Sequence, residues 1–138
     1  MALVIDTGVL VAALGENDPE HPRCADLIES STEQLVIPTP VLVELDYWVR
    51  KFADVQVWLT FCEDVSQGAY SLFALNSNLV SAAANLQVRF ADQPLGFVDA
   101  AVAITCEALG EDKVATLDRR HFGVVRIRGN DPLRIVPS

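Results

Sequence analysis

Positive charge is scarce in this sequence. Ten lysine and arginine residues stand against 19 aspartate and glutamate residues, which gives a formal net charge of −9 over 138 residues. Because general binding of nucleic acids depends on lysine and arginine contacts to phosphates, this balance argues against a general nucleic-acid-binding protein. The charge is uneven, since residues 113–138 carry six basic and two acidic residues. This basic segment is compatible with a phosphate-bearing substrate held locally, or with a basic partner that covers the acidic remainder.

Cysteine and histidine are also few. The three cysteines, Cys24, Cys62 and Cys106, are far apart and show no metal-ligand spacing, so we expect free, buried thiols in a reducing cytosol. The two histidines, His21 and His121, offer no paired base for a nucleophilic serine or cysteine, and there is no nucleophile elbow. A glycine-rich phosphate-binding loop is absent too. These absences argue against cysteine-based metal sites and against serine or cysteine nucleophiles.

Long hydrophobic runs are missing as well. The N-terminal stretch MALVIDTGVLVAALGEND has no basic region and Asp6 interrupts it early, so it is typical of a strand and a helix and not of a signal peptide. No run is long enough to span a membrane, and we expect a cytoplasmic protein. Hydrophobic residues make up 51% of the chain, which is enough apolar surface for a core. The length fits one domain over residues 1–138.

Short apolar runs alternate with helical patterns along the chain. The runs are continuous, which is typical of strands covered on both faces. One helix is expected to start with Thr39 as its N-cap and Pro40 as its first helical residue. The order predicts an α/β fold, a three-layer sandwich with a central, mainly parallel sheet of about five strands. The predicted strands are residues 3–5, 34–38, 70–75, 113–117 and 124–127.

Four carboxylates fall at points where such a sheet forms its sites. Asp6 directly follows the first predicted strand, and Asp118 follows the fourth. Sites in parallel sheets form beyond the carboxyl ends of the strands, so these two side chains meet if the two strands are neighbours. Glu44 lies at the edge of the apolar stripe of its helix, and Asp99 lies at the start of the most apolar helix. These four residues are the candidate site.

Each carboxylate has an ordinary structural interpretation when it is taken alone. Asp6 and Asp99 could cap helices, and Asp118 could be a turn residue. Glu44 could reach solvent or pair with an arginine. Gathered at one place, the four charges would repel one another, and a bound Mg²⁺ or Mn²⁺ removes that objection because both ions prefer carboxylate oxygens. Such an ion can activate a water molecule and stabilise charge on a phosphodiester.

The segments around these carboxylates resemble the PIN-domain family and, within it, the VapC-type toxins of bacterial toxin–antitoxin pairs. In the family's order they are VIDTGVLVAAL, TPVLVELDYWV, GFVDAAVAI and VATLDRRHF. The resemblance implies a metal-dependent endoribonuclease that hydrolyses phosphodiester bonds in RNA with metal-activated water. It implies Mg²⁺, or Mn²⁺, as the cofactor. The implied catalytic and metal-binding residues are Asp6, Glu44, Asp99 and Asp118.

Supporting residues and partners follow from the same resemblance. Thr7 and Thr116 would lie beside the metal site, and because Thr116 is not acidic, the number of metal ions stays open. Such toxins are usually homodimers, neutralised by a small antitoxin protein encoded beside them, whose tail commonly places a basic residue in the acidic site. Of Arg119 and Arg120, which follow Asp118, we expect one to contact RNA phosphate and the other to pair structurally.

Several alternatives stay open at the level of sequence. For His121, a packing or helix-end role is favoured over catalysis. A haloacid-dehalogenase-type phosphatase would need a second aspartate where Gly8 stands. A receiver domain would need a lysine late in the chain, whereas Lys113 begins its predicted strand. The main alternative is a PIN-like module that binds RNA or protein without cutting it.

Overall fold

The computed structural model describes residues 1–138 as helices packed around a parallel sheet. The elements are β1 (Ala2–Ile5), α1 (Thr7–Leu14), α2 (His21–Ser30), β2 (Gln34–Pro38), α3 (Thr39–Phe52), α4 (Val55–Ser66), β3 (Ser71–Phe73), α5 (Ser77–Arg89), α6 (Phe97–Leu109), β4 (Lys113–Ala115), α7 (Arg119–Phe122), β5 (Arg126–Ile127), β6 (Asp131–Pro132) and β7 (Arg134–Val136). The sheet has five strands in the order β3-β2-β1-β4-β7, where every neighbouring pair runs parallel, and β5 and β6 form a separate antiparallel pair.

The local sequence explains where several helices begin and end. The Asp6 side chain caps α1 by accepting a hydrogen bond from the Thr7 amide, and the Asn76 side chain caps α5 in the same way. Helix α6 ends at Gly110, whose φ of 70° lies in the left-handed region that glycine adopts without steric cost. These polar and glycine positions set the boundaries, and the apolar runs between them are free to pack.

The core lies between the sheet and its helices. All four residues of β1 are buried, as are residues 100–106 of α6, which packs against α5 and contacts β1, β2 and β4. On α3, Val41, Leu45 and Val49 recur at helical spacing and are buried. The observed architecture confirms the predicted α/β fold with a central, mainly parallel sheet of five strands flanked by helices.

The position predicted for the fifth strand is wrong. Within residues 124–127, only Arg126 and Ile127 are extended, and they pair with β6 in the small antiparallel ribbon. The fifth strand of the main sheet is β7, which pairs in parallel with β4. Arg128 and Gly129 both have positive φ and turn the chain back on itself, so the apolar run ends in a reversal and not in the sheet.

Helix α3 begins one residue earlier than predicted. Pro38 is its N-cap, and Thr39 is already helical. No side chain accepts a hydrogen bond from the first amides of α3. Pro40 suits this first turn because proline has no amide hydrogen that would need a partner.

The cysteines match the prediction in part. All three are free, and Cys24 and Cys106 are buried, but Cys62 is exposed on α4. Burial raises the pKa of the Cys106 thiol to about 12, so this cysteine stays protonated at neutral pH. None of the helices combines the length and the apolar character needed to cross a bilayer.

Candidate active site

Parallel pairing of β1 with β4 brings the first and last candidate carboxylates to one edge of the sheet. Ile5 lies opposite Ala115, and the Asp6 amide donates a hydrogen bond of 2.8 Å to the Ala115 carbonyl. Asp6 directly follows β1, and Asp118 lies three residues beyond the end of β4. The strand ends therefore place both carboxylates at the carboxyl edge, as the rule for parallel sheets predicts.

The remaining two carboxylates reach the same edge from helices. Glu44 extends from the first half of α3, which follows β2, and Asp99 lies in the first turn of α6. Together with Asp6 and Asp118 they line one open cleft of about 470 Å³. Four acidic side chains separated by up to 112 positions in the sequence thus share one concave surface.

Two threonines fix the orientation of the carboxylates. The Thr116 hydroxyl donates to Asp6 Oδ2 at 2.8 Å, and the Thr7 amide donates to Asp6 Oδ1 at 2.8 Å. The Thr7 hydroxyl donates to Glu44 Oε1 at 2.7 Å. Thr116 Oγ1 also accepts a hydrogen bond of 3.0 Å from the Asp118 amide. The two hydroxyls therefore tie three of the carboxylate-bearing segments into one network.

Asp6 is the most buried of the four carboxylates, with 6% of its surface exposed. Burial raises its pKa to about 6, with further upward contributions from the charges of Asp99 and Glu44, while the hydrogen bond from Thr116 acts in the opposite direction. Burial also raises the pKa of Asp99, and the charge of Asp118 adds to that effect. Ionised carboxylates are thus held here against an electrostatic penalty.

Asp118 differs from the others because His121 stabilises its charge. Burial acts to raise the pKa of Asp118, but hydrogen bonds from the His121 amide and ring outweigh it, so the pKa is lowered. The His121 amide donates to Asp118 Oδ1 at 2.9 Å, and ring atom Nδ1 lies 2.7 Å from Oδ2. The same Nδ1 lies 3.9 Å from Asp99 Oδ2. The sequence favoured a packing or helix-end role for His121, whereas its ring faces two carboxylates of the cleft.

No lysine or arginine forms an ion pair with the four carboxylates, and His121 is their only potentially cationic partner. The neighbouring arginines point elsewhere: Arg119 donates to the Pro137 carbonyl at 3.0 Å, and Arg120 is exposed. The donor set of the cleft is therefore several carboxylate oxygens with one imidazole nitrogen. That set fits a divalent cation, which would replace the missing positive charge.

Five residues that line the cleft were not among the predicted site residues, namely Gly8, Val11, Asp18, Trp48 and Leu117, and two of them are polar or aromatic. Asp18, in the loop after α1, and Trp48, on α3, both contribute to its wall. Trp48 also lines a neighbouring, more apolar cleft of about 550 Å³ with Val49 and Phe52, and 38% of its surface is exposed. The helical spacing of Glu44 and Trp48 was the available signal for Trp48, because residues four apart share a face. Nothing in the local sequence indicated Asp18.

Comparison with known proteins identifies relatives over almost the whole chain. The model of the PIN domain matches residues 3–127. Ribonuclease VapC26 of Mycobacterium tuberculosis (strain ATCC 25618 / H37Rv) is 30% identical over 135 residues, which cover 98% of this chain and 100% of the relative.

Solved structures share the fold at lower identity. Mycobacterium tuberculosis VapC20, described as a Sarcin-Ricin loop cleaving toxin, superposes with a TM-score of 0.77 at 18% identity, covering 89% of this chain and 95% of the other. DNA-bound VapBC from Salmonella typhimurium gives a TM-score of 0.70 at 19% identity, covering 98% and 96%.

Proposed function

The chain belongs to the PIN-domain family, and from this premise we propose that it is an endoribonuclease, the toxin of a bacterial toxin–antitoxin pair. The observation that carries the proposal is the cleft of four carboxylates without a lysine or arginine partner. The relation to a protein named as a ribonuclease supports RNA as the substrate. Residues 1–138 would act as one domain.

In this proposal the cleft holds Mg²⁺ or Mn²⁺ through Asp6, Glu44, Asp99 and Asp118. When bound, such an ion supplies Lewis-acid activation of water and neutralises charge on the phosphodiester. The two threonines orient the ligands: Thr116 and the Thr7 amide hold both oxygens of Asp6, and the Thr7 hydroxyl holds one oxygen of Glu44. Ligands that are already oriented lose little freedom on binding the ion, so these bonds favour binding.

The charge of the cleft explains why RNA cleavage here would require the cation. Without it, the carboxylates repel an RNA phosphate, and no lysine or arginine pairs with them to offset their charge. Arg120 is exposed and its guanidinium forms no ion pair, so we assign it the contact with RNA phosphate. Arg119 would be the structural partner, since its guanidinium already donates to the Pro137 carbonyl.

The proposal includes protein partners. A protein of the same fold from Klebsiella pneumoniae comes from a structure described as a toxin–antitoxin complex, which supports a small antitoxin as the partner. An acidic cleft is complementary to a basic side chain, so a basic residue of the antitoxin inserted there would inhibit the enzyme. We also propose a homodimer that works in the cytoplasm.

The test is RNA cleavage by purified, antitoxin-free protein in Mg²⁺ or Mn²⁺, with and without EDTA. We expect cleavage only with metal, and a loss of at least about a hundredfold for Asp99→Asn, which keeps the shape of the side chain but removes a metal-ligating charge. The matched control is Asp46→Asn, because Asp46 pairs with Arg50 on the surface of α3, outside the cleft. Sequencing the 5′ ends of the cleaved RNA then identifies the sites.

Two outcomes would contradict the proposal. Cleavage that persists in EDTA would exclude the metal-dependent mechanism. Tight RNA or protein binding with no cleavage in either metal would leave the PIN-like binding module without nuclease activity as the explanation.

A further inference from the structure

We propose that His121 is a direct ligand of the divalent cation in this cleft, and that its imidazole makes the site select Mn²⁺ over Mg²⁺. The inference rests on the proposed function in one respect, namely that a divalent cation binds among the carboxylates. It adds a ligand that is neither acidic nor one of the residues implied by the family resemblance, and it chooses between the two candidate ions.

The geometry of three atoms supports the inference. One ligand atom each from Asp99, Asp118 and His121 lie within 4.8 Å of one another. Around an octahedral ion with ligands at about 2.1 Å, adjacent ligand atoms are about 3.0 Å apart and opposite ones about 4.2 Å apart. His121 Nδ1 lies 2.7 Å from Asp118 Oδ2 and 3.9 Å from Asp99 Oδ2. These separations lie within a few tenths of an ångström of the two octahedral values.

The surrounding contacts explain why the ring is available as a ligand. The Asp118 amide donates to Thr116 Oγ1, and Asp118 Oδ1 accepts from the His121 amide, so Asp118 is oriented without the imidazole. At 3.9 Å, Nδ1 and Asp99 Oδ2 are too far apart to hydrogen-bond, and this leaves a gap between two potential ligands. An ion in that gap would replace the ring's contact with Asp118 Oδ2, with the ring proton carried on Nε2.

The backbone holds the imidazole in place. His121 lies in the single helical turn α7, next to Phe122, which is fully buried. The turn is tight, because a Cβ atom at Gly123 would clash with the Arg119 carbonyl oxygen. Only 20% of the His121 side chain is exposed, so the ring has little freedom to turn away from the cleft. Such fixed placement favours a ligand over a mobile surface histidine.

Ligand chemistry determines which ion benefits. Mg²⁺ prefers oxygen ligands and keeps most of its bound water. Mn²⁺ is a transition metal, and transition metals accept imidazole and bind mixed nitrogen and oxygen sites more tightly. A site made only of carboxylates would discriminate weakly between Mg²⁺ and Mn²⁺. Replacing one oxygen by His121 Nδ1 shifts the preference towards Mn²⁺.

The decisive experiment detects nitrogen bound to Mn²⁺. The protein has only two histidines, and His21 is outside the cleft, with its Nδ1 2.9 Å from the Ala12 carbonyl oxygen. In the His21→Gln variant, His121 is therefore the sole histidine. We expect electron spin-echo envelope modulation of bound Mn²⁺ to show a directly coordinated ¹⁴N in the wild type and in His21→Gln, and to lose it in His121→Gln.

Calorimetric titration supplies the second readout. His121→Gln should weaken Mn²⁺ binding by about tenfold or more and Mg²⁺ binding by less than about threefold, since Mg²⁺ gains little from a nitrogen ligand. His21→Gln should change neither affinity. Because the nitrogen signal is assigned in the His21→Gln protein, the test stands even if His121→Gln folds poorly.

The contradicting results separate this inference from the proposed function. Mn²⁺ bound to wild type without coordinated nitrogen would overturn the inference, and so would an equal loss of affinity for both ions in His121→Gln, which would indicate that the histidine only orients Asp118. In either case, EDTA-sensitive RNA cleavage would leave the proposed function standing. Binding of neither ion to the wild type would overturn both.

Discussion

Replacing Asp6 by asparagine should stabilise the metal-free protein at neutral pH. In the folded chain the Asp6 carboxyl is buried and has a pKa of about 6, because burial and the neighbouring charges of Asp99 and Glu44 disfavour its ionised form. Above that pH the Asp6 carboxylate is ionised in both states. Its charge is buried in the folded wild type but hydrated in the unfolded chain. Asparagine has nearly the same shape and no charge, so it removes this penalty.

The magnitude follows from the gap between the folded and the ordinary pKa. A pKa of about 6 against the ordinary 3.8 corresponds to about 3 kcal/mol at pH 7.5. Part of this stabilisation is lost in the variant. Both Asp6 oxygens accept hydrogen bonds, from Thr116 and from the Thr7 amide, and asparagine replaces one of these acceptors by an amide nitrogen. With a cost of about 1–2 kcal/mol for the lost acceptor, the net gain is about 1–2 kcal/mol, or about 3–7 °C in Tm.

The pH dependence has a definite sign. Between pH 3.8 and about 6, the folded state holds a proton on Asp6 that the unfolded state has released, so wild-type stability falls as the pH rises through this range. The asparagine variant lacks this titration. Its advantage should therefore be full above pH 6 and disappear towards pH 3.8, where only the lost hydrogen-bond acceptor remains and the wild type becomes the more stable protein.

Urea unfolding in EDTA at several pH values between 4 and 7.5, followed by circular dichroism, measures this difference. Asp46→Asn is the matched control, since Asp46 lies outside the cleft and its pKa is lowered by its hydrogen bond with Arg50, which gives the opposite sign. An Asp6→Asn protein that is less stable than the wild type at pH 7.5, or a difference that does not change with pH, would refute the electrostatic account of the cleft. Stabilisation that persists in saturating Mn²⁺ would refute Asp6 as a ligand.

Three further predictions concern neighbouring contacts. Thr116→Val should cost the metal-free protein about 1–3 kcal/mol and raise the pKa of Asp6 further, because it removes the hydroxyl that Asp6 accepts from, and Thr116→Ser should restore both values. Asp118→Asn should destabilise the metal-free protein at neutral pH but not at acidic pH, since hydrogen bonds from His121 lower the pKa of Asp118, and urea titration at the two pH values checks it. Gly110→Ala should lower stability by about 1 kcal/mol with no change in RNA cleavage, since a φ of 70° strains any residue with a Cβ; a thermal melt showing no loss would contradict it.

The part of the site that the sequence predicted depended on a rule of topology. Asp6 and Asp118 each follow a buried apolar run, and parallel strands end at a common edge, so their meeting required only that β1 and β4 be neighbours, which they are. Glu44 and Asp99 were placed by their helices and by the resemblance. Periodicity and strand ends are local properties, and this is why they could be read from sequence.

The fifth strand shows where local patterns are insufficient. Residues 124–127 looked like a strand because two valines and an isoleucine occur in four positions, and of these Val125 and Ile127 are buried whereas Val124 is exposed. Whether such a run joins the sheet depends on which segment reaches the free edge of β4, and that segment is β7, between Leu133 and Pro137. Pairing across the chain is a property of the assembled fold, and short runs beside prolines carry little signal of it.

Side-chain partners were also beyond the sequence. The hydrogen bond between Thr7 and Glu44 joins residues 37 positions apart, and it depends on how α1 packs against α3. His121 had a local signal, because Asp118 lies three residues before it in a helical turn. No local signal indicated that His121 lies near Asp99, since that contact depends on where α6 packs.

The order in which the chain is made gives the parallel pairing of β1 and β4 a further meaning. Asp6 is made well before Ala115, and its amide has no bonding partner until Ala115 follows. The free edge of β4 is covered later still, by Arg134 to Val136. A chain that stops before Asp118 lacks one of the four carboxylates, and a chain that stops before Arg134 lacks the strand that pairs with β4. We expect neither chain to cleave RNA. Formation of the cleft therefore waits for contacts between segments that are far apart in the sequence, and such long-range pairing is slow.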